Sequence, residues 1–230
     1  MIRRGLGGSM VALMALVSAC SQKASAPVAR SEPPPAFAAD TLLAELAPHL
    51  EPWIAMWRFA DRSATIGSFH PESDVPFTLH DIHRYDMHSP EEARRRRLFV
   101  IYAPDSTRFV DPDTRFDVAL DDRTVAITRG PDSSPALVDL KTRSTSGLET
   151  SWHAGDCDGA FWLGNERFAI TGTSPGLATD GSRYGFVRVF DLDAGTVVEY
   201  QTDAAPPQAL RLFLAARDSI RTAKFRKVLY

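Results

Sequence analysis

Four of the six histidines, His70, His80, His83 and His88, fall in one run, HPESDVPFTLHDIHRYDMH, with Asp74, Asp81 and Asp86 among them. Imidazole and carboxylate are the ligand types of zinc, manganese and non-haem iron centres, so a metal-dependent hydrolase would be built here. Such a centre needs its ligands to converge. On a strand, His80 and His88 share a face with Asp86 while His83 points the other way. On a helix, His80 and His83 are neighbours and His88 is not. Neither geometry gathers all three, and the spacing matches no established ligand motif. His80, His83 and His88 stand as metal candidates beside a plainer reading, a polar loop and strand with incidental histidines.

Nucleophilic hydrolysis has less to work with. The sequence has no G-x-S-x-G elbow and no S-x-x-K placed before a helix. GTSPGLATDGSRYG (residues 172–185) carries glycines but lacks the lysine and the strand–loop–helix setting of a phosphate-binding loop. It reads as a long exposed loop between two strands, a place where a partner would bind. No catalytic residue and no cofactor is assigned. The four arginines at 94–97 end a short predicted helix, SPEEARRRR, and either neutralise its negative end or touch anionic lipid phosphate.

Of the two cysteines, Cys20 closes the first apolar run. Arg3 and Arg4 precede a dozen or so mostly apolar residues, too short for a permanent bilayer span of about 20 residues. Val17-Ser18-Ala19-Cys20 resembles the lipobox of bacterial lipoproteins. That resemblance implies a signal peptide at 1–19, acylation of Cys20 and a membrane anchor of several acyl chains. Ser21, where aspartate favours inner-membrane retention in enteric bacteria, implies the outer membrane facing the periplasm. Cys157 is then an odd thiol in an oxidising compartment, flanked by Asp156 and Asp158, and reads as buried and inert.

Loss of Arg3 and Arg4 takes the basic residues from 26 to 24 against 29 acidic ones, leaving about −5. That balance gives no electrostatic case for nucleic acid. Residues 20–39 are small, polar and proline-rich, a composition that cannot bury enough apolar surface to fold, and they read as a flexible tether. A single β-rich domain follows at 40–230.

Its elements can be placed from pattern. Asp40 is a plausible N-cap for DTLLAELAPHL, where Leu42, Leu43, Leu46 and Leu50 recur at helical spacing and Pro48 and Pro52 predict a break. Trp53, Met56, Trp57 and Phe59 read as core. From residue 64 short β-branched and aromatic runs follow: TIGSF, LFVIYA, RFDVAL, TVAITRG, ALVDLK, GAFWLG, RFAITG, GFVRVFDLD and TVVEYQT. The tail around Leu210, Phe213, Leu214 and Ile220 returns to helical spacing with a basic opposite face.

Two stretches repeat loosely. LFVIYAPDSTRFVD then ALVDLKTRS matches AFWLGNERFAITG then RVFDLDAGT: an aromatic strand, a polar turn, an Arg-Phe strand, and later a strand ending in Asp-Leu. These runs resemble single blades of β-propellers of the WD-repeat or Tol-system type, with Ser106 where the blade turn usually has glycine. Closed propellers usually need at least four blades, and this chain has room for two or three. The expected fold is therefore mainly β: open antiparallel blade-like sheets, an incomplete propeller, with N-terminal and C-terminal helices over exposed faces. The expected function is a non-catalytic binding or scaffold lipoprotein whose partner is another envelope protein; the alternative is the metal-dependent hydrolase of residues 70–88.

Overall fold

The computed structural model describes residues 39–77, 79–81, 98–112, 117–119, 121, 123–127, 135–148, 155–175, 180–223 and 227–229. Residues 1–38, which hold the signal peptide, Cys20 and all of the tether but Ala39, lie outside the described residues, as do His83, His88 and the SPEEARRRR helix; Ala39 already belongs to a helix.

The chain begins with α1 (Ala39–Trp57), a 3-10 turn (Ile66–Ser68), β1 (His70–Pro76) and β2 (His80–Asp81). Next come β3 (Ile101–Tyr102), β4 (Arg108–Asp111), β5 (Asp117–Ala119), β6 (Thr124–Ile127), β7 (Ala136–Asp139) and β8 (Ser144–Gly147). A longer set follows: β9 (Asp156–Trp162), β10 (Arg167–Pro175), β11 (Arg183–Asp191) and β12 (Thr196–Gln201). The chain closes with α2 (Pro207–Thr222) and β13 (Lys227–Leu229). All of these elements belong to one compact unit.

Mainly β with open antiparallel sheets and helices near both ends is the fold the chain adopts. The first sheet has the order β1-β12-β11-β10-β9, the second β2-β8-β7-β4-β3, and a small third sheet β13-β6-β5. Only β13 against β6 is parallel; the other described pairings are antiparallel. Each large sheet is a four-stranded meander, β9 to β12 or β3-β4-β7-β8, with one strand of the 70–81 segment added at its outer edge. The second meander is interrupted between β4 and β7 by the β5–β6 hairpin.

The loose sequence repeat corresponds strand for strand to these two meanders. Arg108 pairs in register with Asp139, as Arg167 does with Asp191. Asp139 accepts the N–H groups of Lys141 and Thr142, and Asp191 that of Ala194, so both aspartates close the turn after their strand. Four residues beyond each aspartate the backbone turns left-handed, at Arg143 (φ 58°) and Gly195 (φ 63°). Ser106, in place of glycine, also sits left-handed at φ 57°, in a turn held by the Asp105 carboxylate accepting from Thr107 N–H at 2.9 Å.

Alternation along the strands gives the first sheet two apolar faces. Ala169, Val187, Val189 and Tyr200 pack under Leu46, Leu50, Trp53, Ile54 and Trp57 of α1 and Leu210 and Phe213 of α2. On the opposite face Phe168, Ile170, Phe186 and Phe190 meet Val110 and Leu137 of the second sheet. The layers are therefore helices, first sheet, second sheet. Phe109 and Val138 form a small cluster with Val100 on the second sheet's far face.

Several expectations are corrected. Helix α1 runs continuously through Pro48 and Pro52, and it already includes Asp40. Both prolines are exposed, so the carbonyls they leave unbonded face water, while the opposite face is held by burial of Leu46, Leu50, Trp53 and Trp57. TIGSF is a 3-10 turn, not a strand; Thr65 N–H donates to the Ser68 hydroxyl at 3.0 Å, an i to i+3 closure that extended backbone lacks. Phe59 is 54% exposed, because it follows the end of α1 and turns out of its buried face. Ile220 is 63% exposed, because it lies near the end of α2, two turns past the buried Phe213. The 172–185 stretch is not one long loop. β10 runs to Pro175 and β11 starts at Arg183, with Gly172, Thr173 and Ser174 paired to Phe186, Gly185 and Tyr184.

Candidate functional site

The histidine segment is the first place to look. His70 opens β1 opposite Gln201 at the edge of the first sheet, and its side chain is exposed. His80 lies in β2 opposite Gly147, at the edge of the second sheet. The segment thus crosses from one sheet to the other, and the two described histidines belong to different sheets. Among the described residues no group of three or more His, Cys, Asp or Glu side chains is placed to hold a metal.

The site that the topology does build lies between the two sheets, where their turns meet. Arg108 leads β4 on the face turned toward the first sheet. Its guanidinium grips Glu166 in the β9–β10 turn with two bonds, Nη1 to Oε2 at 2.5 Å and Nη2 to Oε1 at 3.1 Å. Its Nε lies 3.4 Å from Asp139 Oδ2 on the neighbouring strand. Close by, Asp105 N–H donates to Asn165 Oδ1 at 3.1 Å, so the β3–β4 and β9–β10 turns are tied twice. Next to this knot is a cleft of about 320 Å³, floored by buried Leu137 and half-buried Leu192, with Ser146, Glu166, Asp193 and the exposed Leu79 around them.

The electrostatics of the cleft follow from these bonds. Hydrogen bonding to Glu166 raises the Arg108 pKa, against the opposing effect of burial, with both carboxylate charges adding to the rise. Burial pushes the Asp139 carboxyl upward, but the N–H groups of Thr142 and Lys141 outweigh it and hold the acid below its ordinary value. Asp105 is lowered chiefly by the backbone N–H of Thr107. A group locked in its charged form at neutral pH is poorly matched to general acid–base transfer there. Arg108 and Asp139 are in that position. The cleft's chemistry is that of a polar recess with an apolar floor.

A second ionic cluster lies under the helices. β9 carries a bulge opposite the Thr171–Gly172 step of β10, and Asp158 is the extra residue. Its carboxylate accepts from Trp53 Nε1 of α1 at 3.2 Å and from Arg217 Nη1 of α2 at 3.0 Å. The Asp158 side chain is fully buried and that of Arg217 is 12% exposed. Burial alone would lower the Arg217 pKa; the charge and hydrogen bond of Asp158 reverse the sign and raise it. A third ion pair, Arg188 Nε to Glu199 Oε2 at 2.6 Å, is buried between the sheets with Arg188 over the Phe186 ring at 4.1 Å. Gln201 Nε2 donates to the other Glu199 oxygen at 2.8 Å.

Cys157 is a buried thiol in the core between the sheets. Sequence reading gave Asp158 only as a neighbour of Cys157 and passed over Arg217 and Glu166. The signal for one partner was present: Arg-Phe stands at the same place in both repeats, as Arg108-Phe109 and Arg167-Phe168. Among the described residues no helix is long and apolar enough to cross a membrane. Comparison of the chain with known proteins finds no matching family, no matching curated relative and no matching solved structure.

Proposed function

We propose that this chain is a cell-envelope lipoprotein, acylated at Cys20 and held at the outer membrane facing the periplasm. Its β-rich body serves as a non-catalytic binding or scaffold module for another envelope protein. One observation supports binding over catalysis: the ions in and between the layers hold the layers together. Asp158 joins both helices to β9, Arg108 joins β4 to the next meander's turn, and Arg188 is closed on Glu199. Such brackets make a rigid body, and rigid frames suit the display of a contact surface. The inter-sheet cleft, with exposed Asp193 at its rim and leucines beneath, is where a partner's side chain would seat.

The test is crosslinking in intact cells with a photoreactive residue at position 193, followed by purification of the acylated chain. One discrete adduct supports the proposal. No adduct from 193 or from any other surface position, in a chain that fractionates with membranes, removes it. Recovery of the chain in the soluble periplasmic fraction with an unmodified Cys20 removes the anchor.

A further inference from the structure

We propose that the inter-sheet cleft takes a lysine side chain presented by the partner; the inference rests on the binding-module reading above and names what the partner brings. Two rows of side chains on the second sheet make one wall of the cleft. Arg108, Asp139 and Ser144 pair in register across β4, β7 and β8, and Val110, Leu137 and Ser146 form the next row on the same face. Val110 and Leu137 pack in the core between the sheets, so both rows are turned toward the first sheet. The β9–β10 and β11–β12 turns of that sheet supply the other wall with Glu166, Leu192 and Asp193. Leu192 N–H donates to the Glu166 carbonyl at 2.9 Å and joins the two turns.

Charge is the first feature that selects the occupant. Asp139, Glu166 and Asp193 face a single guanidinium, that of Arg108, which Glu166 and Asp139 already engage. An anion is repelled, and a cation is drawn to Asp193, which is exposed and holds no hydrogen bond or ion pair among the described residues. Ser146 is the second. It lines the cleft at 7% exposure, and its hydroxyl has no hydrogen-bond partner among the described residues. A polar atom unpaired at that depth is unfavourable, and a donor from a ligand removes the penalty. The third is the floor of Leu137 and Leu192, which a bare cation would leave uncovered. Lysine answers all three, with an alkyl stem for the leucines and three donors for separate acceptors. Arginine's planar fork calls for a carboxylate with both oxygens open, and those of Glu166 hold Arg108.

The surroundings say why the amine comes on a chain. At about 320 Å³ the cleft is at the small end for ligand sites. A wider recess of about 610 Å³ adjoins it over Gly164, Asn165 and Ala194, with Glu166 and Asp193 common to both. One side chain fits the first, and the backbone that carries it crosses the second.

The experiment titrates the full-length chain, leucine-methyl labelled and held in non-ionic detergent, with the peptide acetyl-Gly-Lys-Gly-amide. The methyl signals of Leu137 and Leu192 are expected to move saturably, with a Kd on the order of 1 mM. The norleucine peptide, with the same stem and no charge, should leave them in place. Asp193→Asn and Ser146→Ala should each weaken the lysine peptide by about fivefold or more, while leucine signals away from the cleft stay unchanged and show that both variants are folded. No saturable shift, an equal response to norleucine, or tighter binding of the arginine peptide overturns the inference. So does unchanged affinity in the folded Asp193→Asn chain. Cadaverine binding more tightly than the peptide overturns it in favour of a free amine. Any of these results leaves the binding-module reading to its own test, the crosslinked adduct; an adduct that maps to a partner segment without lysine overturns this inference and keeps that reading.

Discussion

Arg108 and Arg167 are the same residue of two successive meanders, and each reaches across to an acid of the next layer. Arg108 binds Glu166 in the turn of the following sheet; Arg167 binds Glu45 of α1 through Nη2 at 2.8 Å and Nη1 at 3.3 Å. A tryptophan repeats the relationship. Trp162 of β9 donates to the Ile101 carbonyl of β3 at 2.9 Å, and Trp53 of α1 donates to Asp158 of β9. Helix α1 thus occupies, on the first sheet, the place that the first sheet occupies on the second.

Both arginine pairs are partly open to water, with side chains 24% and 37% exposed for Arg108–Glu166 and 31% and 39% for Arg167–Glu45. Solvent screening limits such pairs. A double-mutant cycle with Arg108→Ala and Glu166→Ala, read by urea denaturation, is expected to give a coupling of about 0.5–1 kcal/mol. The Arg167–Glu45 cycle should give no more.

Asp158 is a different case. Asp158→Ala leaves the Arg217 guanidinium buried without its carboxylate and Trp53 Nε1 without its acceptor, which is expected to cost about 3–5 kcal/mol. Asp158→Asn keeps an acceptor for Trp53 and should cost less. Chemical denaturation of the three proteins at neutral pH checks the order; equal stability of Asp158→Ala and wild type would discard the bracket.

The bulge that aims Asp158 has its own steric requirement. A Cβ on Gly172 would lie 2.2 Å from the Asp156 carbonyl oxygen and 2.5 Å from the Phe186 ring. Backbone and a packed ring cannot yield cheaply, so Gly172→Ala is expected to destabilise by about 1–3 kcal/mol or more. Gly159→Ala, whose Cβ would meet nothing nearer than Thr171 Oγ1 at 3.7 Å, serves as the tolerated control. Melting temperatures of the pair decide it.

Acid should loosen the turns first. Asp105 and Asp139 have folded pKa values below the ordinary carboxylate value. Their contribution is therefore complete above the unfolded value of about 3.9 and disappears as pH falls through the lower folded values. Asp105→Asn and Asp139→Asn are expected to flatten the fall in melting temperature below about pH 4. Arg108, with its pKa raised, stays charged throughout and adds no slope of its own.

Elemental analysis addresses the histidines. The untagged protein is expected to carry no stoichiometric zinc, manganese or iron, and His80→Gln with His83→Gln should change stability by no more than about 0.5 kcal/mol. One metal per chain, together with a large loss of melting temperature in the double variant, would establish the metal-dependent alternative.

What could be read from sequence was what local pattern controls. Leu42, Leu46 and Leu50 mark α1, Leu210 and Phe213 mark α2, and the β-branched runs mark β9 to β12. Strands made by pairing rather than by composition escaped. Ser144–Gly147 is small and polar and becomes β8 because β7 and β2 flank it, and His70–Pro76 becomes β1 by lying along β12. The candidate site was less legible still. Arg108 and Glu166 are 58 residues apart and Trp53 and Asp158 are 105 apart, and only the stacking of layers brings them together. The bulge at Asp158 is a register effect, invisible to a period-two pattern.

That stacking also sets an order in time. Helix α1 is the first described element to leave the ribosome, yet Glu45 waits 122 residues for Arg167. At a typical synthesis rate this is on the order of ten seconds. Throughout that interval Leu46, Leu50, Trp53, Ile54 and Trp57 have no sheet to cover them. Helix α1 therefore cannot take its place in the layers until β10, β11 and β12 have followed it, so the packing of the earliest described element depends on residues made long after it.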